Sequence, residues 1–118
     1  TLFPVHAAAQ RATPSDHFLV ELRILHPIAA CGIVCAGILT GLHYARSPAC
    51  RRPALALAAL SGAQLVIGAL NIALRAPGWL QLVHLLGAQL TWMSAVLLTK
   101  ATRGEATDER EGMRERRV

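Results

Sequence analysis

The sequence predicts an all-α integral membrane protein, built as a three-helix bundle. Three features of its composition predict this class: 53% of the 118 residues are hydrophobic, only 4% are aromatic, and only 16% are charged. The mean hydropathy of +0.40 exceeds that of an ordinary soluble domain. Leu, Ala, Ile and Val supply most of the apolar content, which suits packed helices better than strands. A soluble helical bundle is the competing fold, but each of its helices would show a polar face, and these do not.

Three apolar stretches are each long enough to cross a bilayer, whose hydrocarbon core takes roughly 20 helical residues. The first follows a polar segment and is too long for a cleavable signal peptide. The last part of the chain is charged and has no apolar periodicity, which predicts a solvated tail without regular structure. We therefore expect an outer loop at residues 1–16, a transmembrane bundle at 17–100 with helices at about 18–44, 54–74 and 79–99, and a charged cytoplasmic tail at 101–118.

The distribution of basic residues predicts the orientation. They cluster in the loop between the first two helices and after the third helix, at Arg46, Arg51, Arg52, Lys100 and Arg103. By the positive-inside rule, this loop and the C-terminus face the cytoplasm, and the N-terminal loop lies outside. We expect a multi-pass protein of the cell inner (plasma) membrane. Its net charge of +5 reflects this topology rather than nucleic-acid binding, since no basic stripe with interleaved aromatic residues occurs in the sequence.

Two histidines interrupt the apolar stretches: His26 in "VELRILHPIAACGIVCAG" and His84 in "WLQLVHLLGAQLTWMSAVLL". We expect them to lie roughly 12 Å and roughly 8 Å inside the outer ends of their helices, at a similar depth. Small residues accompany both histidines, which either leaves room for a flat group or permits close helix packing. These residues are Ala29, Ala30 and Gly37 for His26, and Gly87, Ala88, Thr91 and Ala95 for His84.

A histidine pair at one depth favours haem over a bare metal ion. Zinc would require a third or fourth ligand, whereas haem iron needs only two axial ligands because the porphyrin supplies four nitrogens. Arg23 and Arg75 lie near the same level and are candidates to pair with haem carboxylates, although both also suit snorkelling to the interface. The sequence thus predicts iron ligation by His26 and His84.

The second helix carries polar residues at helical spacing. Because polar groups in a bilayer need internal partners, this face is expected to point into the bundle, with or without a ligand. Gln64 and Asn71 are candidates to form hydrogen bonds with Gln89 or Thr91. The face comprises Ser61, Gln64, Gly68, Asn71 and Arg75.

The stretches "HFLVELRILHPIAA" and "QLVIGALNIALRAPGWLQLVHLLGAQLTW" resemble the second half of the haem A synthase family. The resemblance covers roughly residues 16–100 and rests on the motif LxxLRxLHP together with the run GxxNxxLxAPxxLQxxHL. Members are eight-helix membrane proteins, and each of their two four-helix halves carries a histidine pair. The resemblance implies that haem O is converted to haem A, by oxidation of a ring methyl to a formyl group, for terminal oxidase assembly. It also implies that His26 and His84 are the axial ligands of a haem b in the C-terminal half.

The chain departs from the family pattern in two ways. Its sequence predicts three helices, whereas the family has eight. The family pattern places a Glu three residues before a histidine, but here Glu21 stands five residues before His26. No catalytic role is therefore assigned, and we expect a haem-holding portion without the catalytic half, so whether the chain is itself an oxidoreductase stays open. The expected partners are the lipid bilayer, haem, the missing N-terminal half, haem O synthase or an electron donor.

Two other functions remain open from the residues alone. A three-helix bis-histidine cytochrome b anchor of a quinone-linked respiratory complex would carry the same histidine pair, together with a quinone pocket. A cofactor-free assembly or scaffold protein would use both histidines for packing only.

Overall fold

The computed structural model describes residues 14–118, with side chains from His17 onward. It contains three helices, α1 (Pro14–Tyr44), α2 (Arg51–Ala73) and α3 (Gly78–Arg116), and no strand within the described range. Each helix is long and apolar enough to cross a membrane, which confirms the predicted all-α membrane class. Contacts divide the chain into two units, one ending at Cys31 and one comprising Gly32–Val118. Residues 1–13 of the predicted outer loop lie outside the described residues.

Helix α1 begins at Pro14 and continues through Pro27 without interruption. Proline is well tolerated at the first helical position, because the missing N–H has no intrahelical acceptor there. Pro27 is different, since its missing N–H leaves the carbonyl of Arg23 without its usual helical donor. Pro27 therefore removes one helical hydrogen bond in the turn that contains His26.

Helices α2 and α3 pack through small side chains, as expected where lipid removes the hydrophobic drive for association. Their buried cluster consists of Cys50, Ala54, Leu57 and Leu98. Most large apolar side chains point away from it, and Ile33 and Ile72 are 71% and 73% exposed. In a membrane protein such side chains are the surface for lipid or for further helices.

Two glycines let the end of α1 approach α2 closely. A Cβ on Gly41 would lie 2.5 Å from the carbonyl oxygen of Ala54, and a Cβ on Gly37 would collide with the Ser61 hydroxyl. Gly37 and Gly41 therefore serve helix packing, one of the two uses that the sequence left open for the small residues.

The charged segment after Lys100 is helical to Arg116, where the sequence predicted a tail without regular structure. Glu105 explains part of the difference. Its carboxylate accepts a hydrogen bond from the Ser47 hydroxyl and another from the Cys50 thiol, whose sulfur lies 3.4 Å away. This contact holds α3 against the loop between α1 and α2 one turn beyond Lys100. Ala, Glu and Arg, which favour helix, are frequent in the remainder.

We call the region around Ser47, Cys50 and Glu105 the loop end of the α2–α3 pair. Cys50 is fully buried there. Burial raises the pKa of its thiol above the ordinary value of 9.0, and the Glu105 carboxylate raises it further. The thiol is therefore neutral and donates its hydrogen bond at physiological pH.

The opposite end, which we call the turn end, reverses the chain between Leu74 and Pro77. The Ala76 amide donates to the Asn71 carbonyl at 2.6 Å, and the Arg75 amide donates to the Ile72 carbonyl at 3.2 Å. This is the Schellman arrangement, which places the residue after the helix cap in the left-handed region. Arg75 and Ala76 occupy that region with φ of 59° and 55°. Glycine is the residue that adopts it without cost.

Candidate functional site

His84 lies in the second turn of α3 and faces α2 at the turn end. Its ring packs beside Gly68, where a Cβ would stand 3.6 Å from the ring Cε1. This distance is an ordinary van der Waals contact, so the imidazole lies directly against the Gly68 position of α2. The residue is half-buried, which leaves part of the ring accessible.

The backbone of His84 is held by a polar side chain from α2. Gln64 Nε2 donates to the His84 carbonyl oxygen at 3.1 Å. Gly87 makes this contact possible, since a Cβ there would collide with the Gln64 amide. The side chain of Gln64 thus fills the space beside Gly87. Gly87 therefore serves close helix packing, and no room remains there for a flat ligand.

Two polar atoms at the turn end are buried and have no hydrogen-bond partner among the described residues. They are Nδ1 of His84 and Oδ1 of Asn71. Such atoms are costly in a low-dielectric interior, and each in a native structure needs an explanation. Both lie in the unit Gly32–Val118, on the two facing helices.

The polar face of α2 differs in detail from the prediction. Gln64 bonds to the His84 backbone rather than to Gln89 or Thr91, and the Thr91 hydroxyl donates to the Gly87 carbonyl in its own helix. Arg75 does not belong to the helical face, because α2 ends at Ala73. Its side chain is exposed in the turn.

His26 and Arg23 belong to the first unit, and both are exposed. They stand three residues apart in α1, so they share one helix face. His84 and Arg75 belong to the second unit. The pairing of His26 with His84 across one haem stays a prediction.

Sequence reasoning missed two contacts that shape the molecule. The sequence does contain a signal for the Gln64 contact with the His84 carbonyl. If a tight turn follows Ala73, Gln64 and Gly87 lie at similar distances from the turn and therefore opposite each other. The Glu105 contact has none, since Glu105 is one of several acidic residues in a charged segment.

A cavity of about 190 Å³ opens at the loop end rather than beside His84. Thr40, Tyr44, Leu57, Leu98 and Thr102 are among the residues that line it. No group of three or more His, Cys, Asp or Glu side chains within the described part of the chain is arranged to hold a metal ion. Iron ligation by His84 stays a prediction.

Comparison with known proteins identifies relatives of the chain. The family model described as cytochrome oxidase assembly protein (COX15-CtaA) matches residues 2–96. Protohaem IX farnesyltransferases from two strains of Thermus thermophilus are each 47% identical over 105 residues, covering 82% of this chain and 17% of the relative. The chain thus spans about a sixth of the length of these curated relatives. No solved structure matches it.

Proposed function

The chain belongs to the haem A synthase family of cytochrome oxidase assembly proteins, and from this premise we propose that it is the haem b-binding portion of such a protein. It is a multi-pass membrane protein. His26 and His84 are the proposed axial ligands of the iron. The observation that carries the proposal is the imidazole of His84, held at the turn end of a membrane helix pair beside a glycine and with a buried Nδ1.

The residues around His84 fit a haem ligand. A ligating histidine binds iron through one ring nitrogen and donates its other N–H to an acceptor. The buried ring nitrogen is Nδ1, so Nε2 is the nitrogen left for iron. When bound, haem supplies a one-electron redox centre. The protein's part is to position His84. Gln64 donates a hydrogen bond to its backbone carbonyl, and its ring lies beside Gly68.

Arg75 is proposed to pair with a haem propionate. A non-glycine residue in the left-handed region costs about 1–2 kcal/mol, and backbone strain of this kind clusters at functional sites. Arg75 has a φ of 59° and is exposed, and it stands in the turn that leads into the helix carrying His84. Arg23 is proposed for the same role in α1, because it shares a face with His26.

The oxidation of haem O to haem A is proposed for the whole protein of which this chain resembles one part. The Thermus relatives contain a segment similar to this chain, and they are named as farnesyltransferases of protohaem IX. A protein that farnesylates protohaem IX is a haem O synthase. We therefore include haem O synthase among the partners, together with the N-terminal half of the family and an electron donor.

The proposed orientation follows the charges. The loop end carries Arg46, Arg51 and Arg52, and the charged part of α3 extends from it. Placing the loop end in the cytoplasm puts the turn end, with His84 and Arg75, in the outer leaflet of the cell inner (plasma) membrane.

The test is the absorption and electron paramagnetic resonance spectrum of the full chain, purified in detergent and supplied with haem. We expect a six-coordinate low-spin haem that is lost in His26→Ala and in His84→Ala. His43→Ala, at the exposed end of α1, is the matched control and should keep the spectrum. An unchanged spectrum in both ligand variants, or no Soret absorbance in the wild type, would contradict the proposal and favour a cofactor-free assembly role.

A further inference from the structure

We propose that Asn71 is a positioning residue for His84: its Oδ1 accepts the Nδ1–H of the imidazole and so fixes which ring nitrogen is presented to a ligand. The inference rests on the proposed function, because it assigns a hydrogen-bond partner to the ring nitrogen of His84 that does not bind iron. It starts from the two buried polar atoms that have no partner among residues 14–118.

Successive residues on one face of α2 lie beside successive parts of His84, from its backbone to its ring. Its carbonyl meets Gln64 and its ring Cε1 faces Gly68. Asn71 is the next residue of this helix face, roughly 4.5 Å closer to the turn end. Side chains on a helix lean toward its N-terminus, which for α3 is the turn end. The imidazole of His84 therefore leans from the level of Gln64 toward the level of Asn71.

The chemistry of the two atoms is complementary in only one tautomer of the neutral imidazole. Oδ1 of an asparagine is an acceptor, and Nδ1 of a neutral imidazole is either a donor or an acceptor. Two acceptors would leave both atoms unsatisfied, whereas an Nδ1–H satisfies both. The proton is thus placed on Nδ1, and the lone pair is placed on Nε2, where iron binds.

The two atoms are not hydrogen-bonded in the structure. The terminal torsions of asparagine and histidine are broad, so the rotation that the proposed hydrogen bond requires has a low cost. The backbone of Asn71 does not need to move, since its carbonyl is already held by the Ala76 amide at 2.6 Å. The turn thus fixes the Asn71 backbone and leaves its side chain free to follow the imidazole.

The test uses the full chain in detergent and measures haem affinity by titration, together with the midpoint potential and the low-spin g-values. Loss of an outer hydrogen-bond partner of a metal ligand typically lowers affinity 10–100-fold, and we expect a decrease of about tenfold in Asn71→Leu. The potential should rise in Asn71→Leu and fall in Asn71→Asp, because a carboxylate is the stronger acceptor and makes the imidazole more electron-donating.

Gln89→Leu is the matched control. It makes the same amide-to-leucine change in a membrane helix, at an exposed position of α3 that the proposed site does not use. We expect it to leave the potential and g-values at their wild-type values. Equal shifts in Asn71→Leu and Gln89→Leu would overturn the inference, because they would indicate an effect that does not depend on the imidazole of His84. Asn71→Asp keeps the shape of the side chain and decides the matter if Asn71→Leu does not fold.

His84→Ala separates the two proposals. If it leaves the low-spin haem unchanged, the haem-binding function is wrong. If His84→Ala removes that haem while Asn71→Leu and Asn71→Asp both keep the wild-type potential, the function stands and the role of Asn71 is wrong.

Discussion

The two ends of the α2–α3 pair are built on opposite principles. At the loop end, Cys50 and Leu98 are buried, and the Ser47 hydroxyl and Cys50 thiol both donate to Glu105. At the turn end, two buried polar atoms have no partner within the described residues, and two non-glycine residues are left-handed. The loop end is closely packed and its polar groups are hydrogen-bonded. The turn end has buried polar atoms without partners and a strained backbone. Sites that bind a further group resemble the second kind, because binding supplies what the fold leaves unmet.

The largest effect on stability is expected where the loop end is packed most tightly. Gly41→Ala would bring a Cβ to 2.5 Å from the Ala54 carbonyl and 2.9 Å from the Ala58 backbone nitrogen. Overpacking of this kind costs about 1–3 kcal/mol of the free energy of unfolding. Thermal or denaturant unfolding in detergent measures it.

Gly32→Ala is the control for that substitution. A Cβ at Gly32 would have nothing within 4 Å, so the change should be neutral or slightly stabilising. Equal destabilisation by both alanines would contradict the close approach of α1 to α2 as the cause, because a methyl group at position 32 meets no neighbour.

At the turn end, removing strain should separate stability from ligand binding. Arg75→Gly and Ala76→Gly each relieve a left-handed φ and should each stabilise the protein by about 1 kcal/mol. Only Arg75→Gly removes a guanidinium, so only this variant should weaken haem binding. Unfolding curves and haem titrations of the two variants, side by side, provide the measurement. Equal haem affinity in both would exclude the propionate role of Arg75.

The smallest effect concerns the ionisation of Cys50 at the loop end. Its pKa is raised in the folded protein by burial and then by Glu105, so the stabilising contribution of the neutral thiol is complete below the ordinary value of 9.0. This contribution is lost as the pH rises from there through the folded pKa. We expect unfolding midpoints to fall above about pH 9 in the wild type and to fall less in Cys50→Ala.

The pH at which the Cys50 thiolate forms measures the same thiol directly. Glu105→Gln removes the carboxylate charge that raises the pKa of Cys50, so in proteins that also carry Cys31→Ala and Cys35→Ala the ultraviolet absorbance of the thiolate should appear at a lower pH than without this substitution. Glu109→Gln, one turn further along α3, is the control and should leave the titration unchanged. An identical titration in all three proteins would contradict the electrostatic role of Glu105.

The fold was largely predictable, because hydropathy and length decide which helices cross a bilayer. The extension of α3 was not, since "TRGEATDEREGMRERRV" has no apolar periodicity and its anchor is one carboxylate meeting a loop 58 residues earlier in the chain. The predicted site residues divide in the same way. His84 stands out in the sequence by its polarity in an apolar run, and its role as an iron ligand stays a prediction. The left-handed conformation of Arg75 depends on where α2 ends, which no periodicity reveals.

The length of α3 has a mechanical consequence. Its 39 residues span about 58 Å, close to twice the roughly 30 Å of bilayer hydrocarbon. The part after Lys100 is a helical extension of about 24 Å, and it is continuous with the apolar part of α3 that carries His84. A flexible tail would absorb any torque applied to it, but a continuous helix transmits axial rotation. Rotation of the charged end of α3 about the helix axis would therefore also turn the imidazole of His84 near its other end.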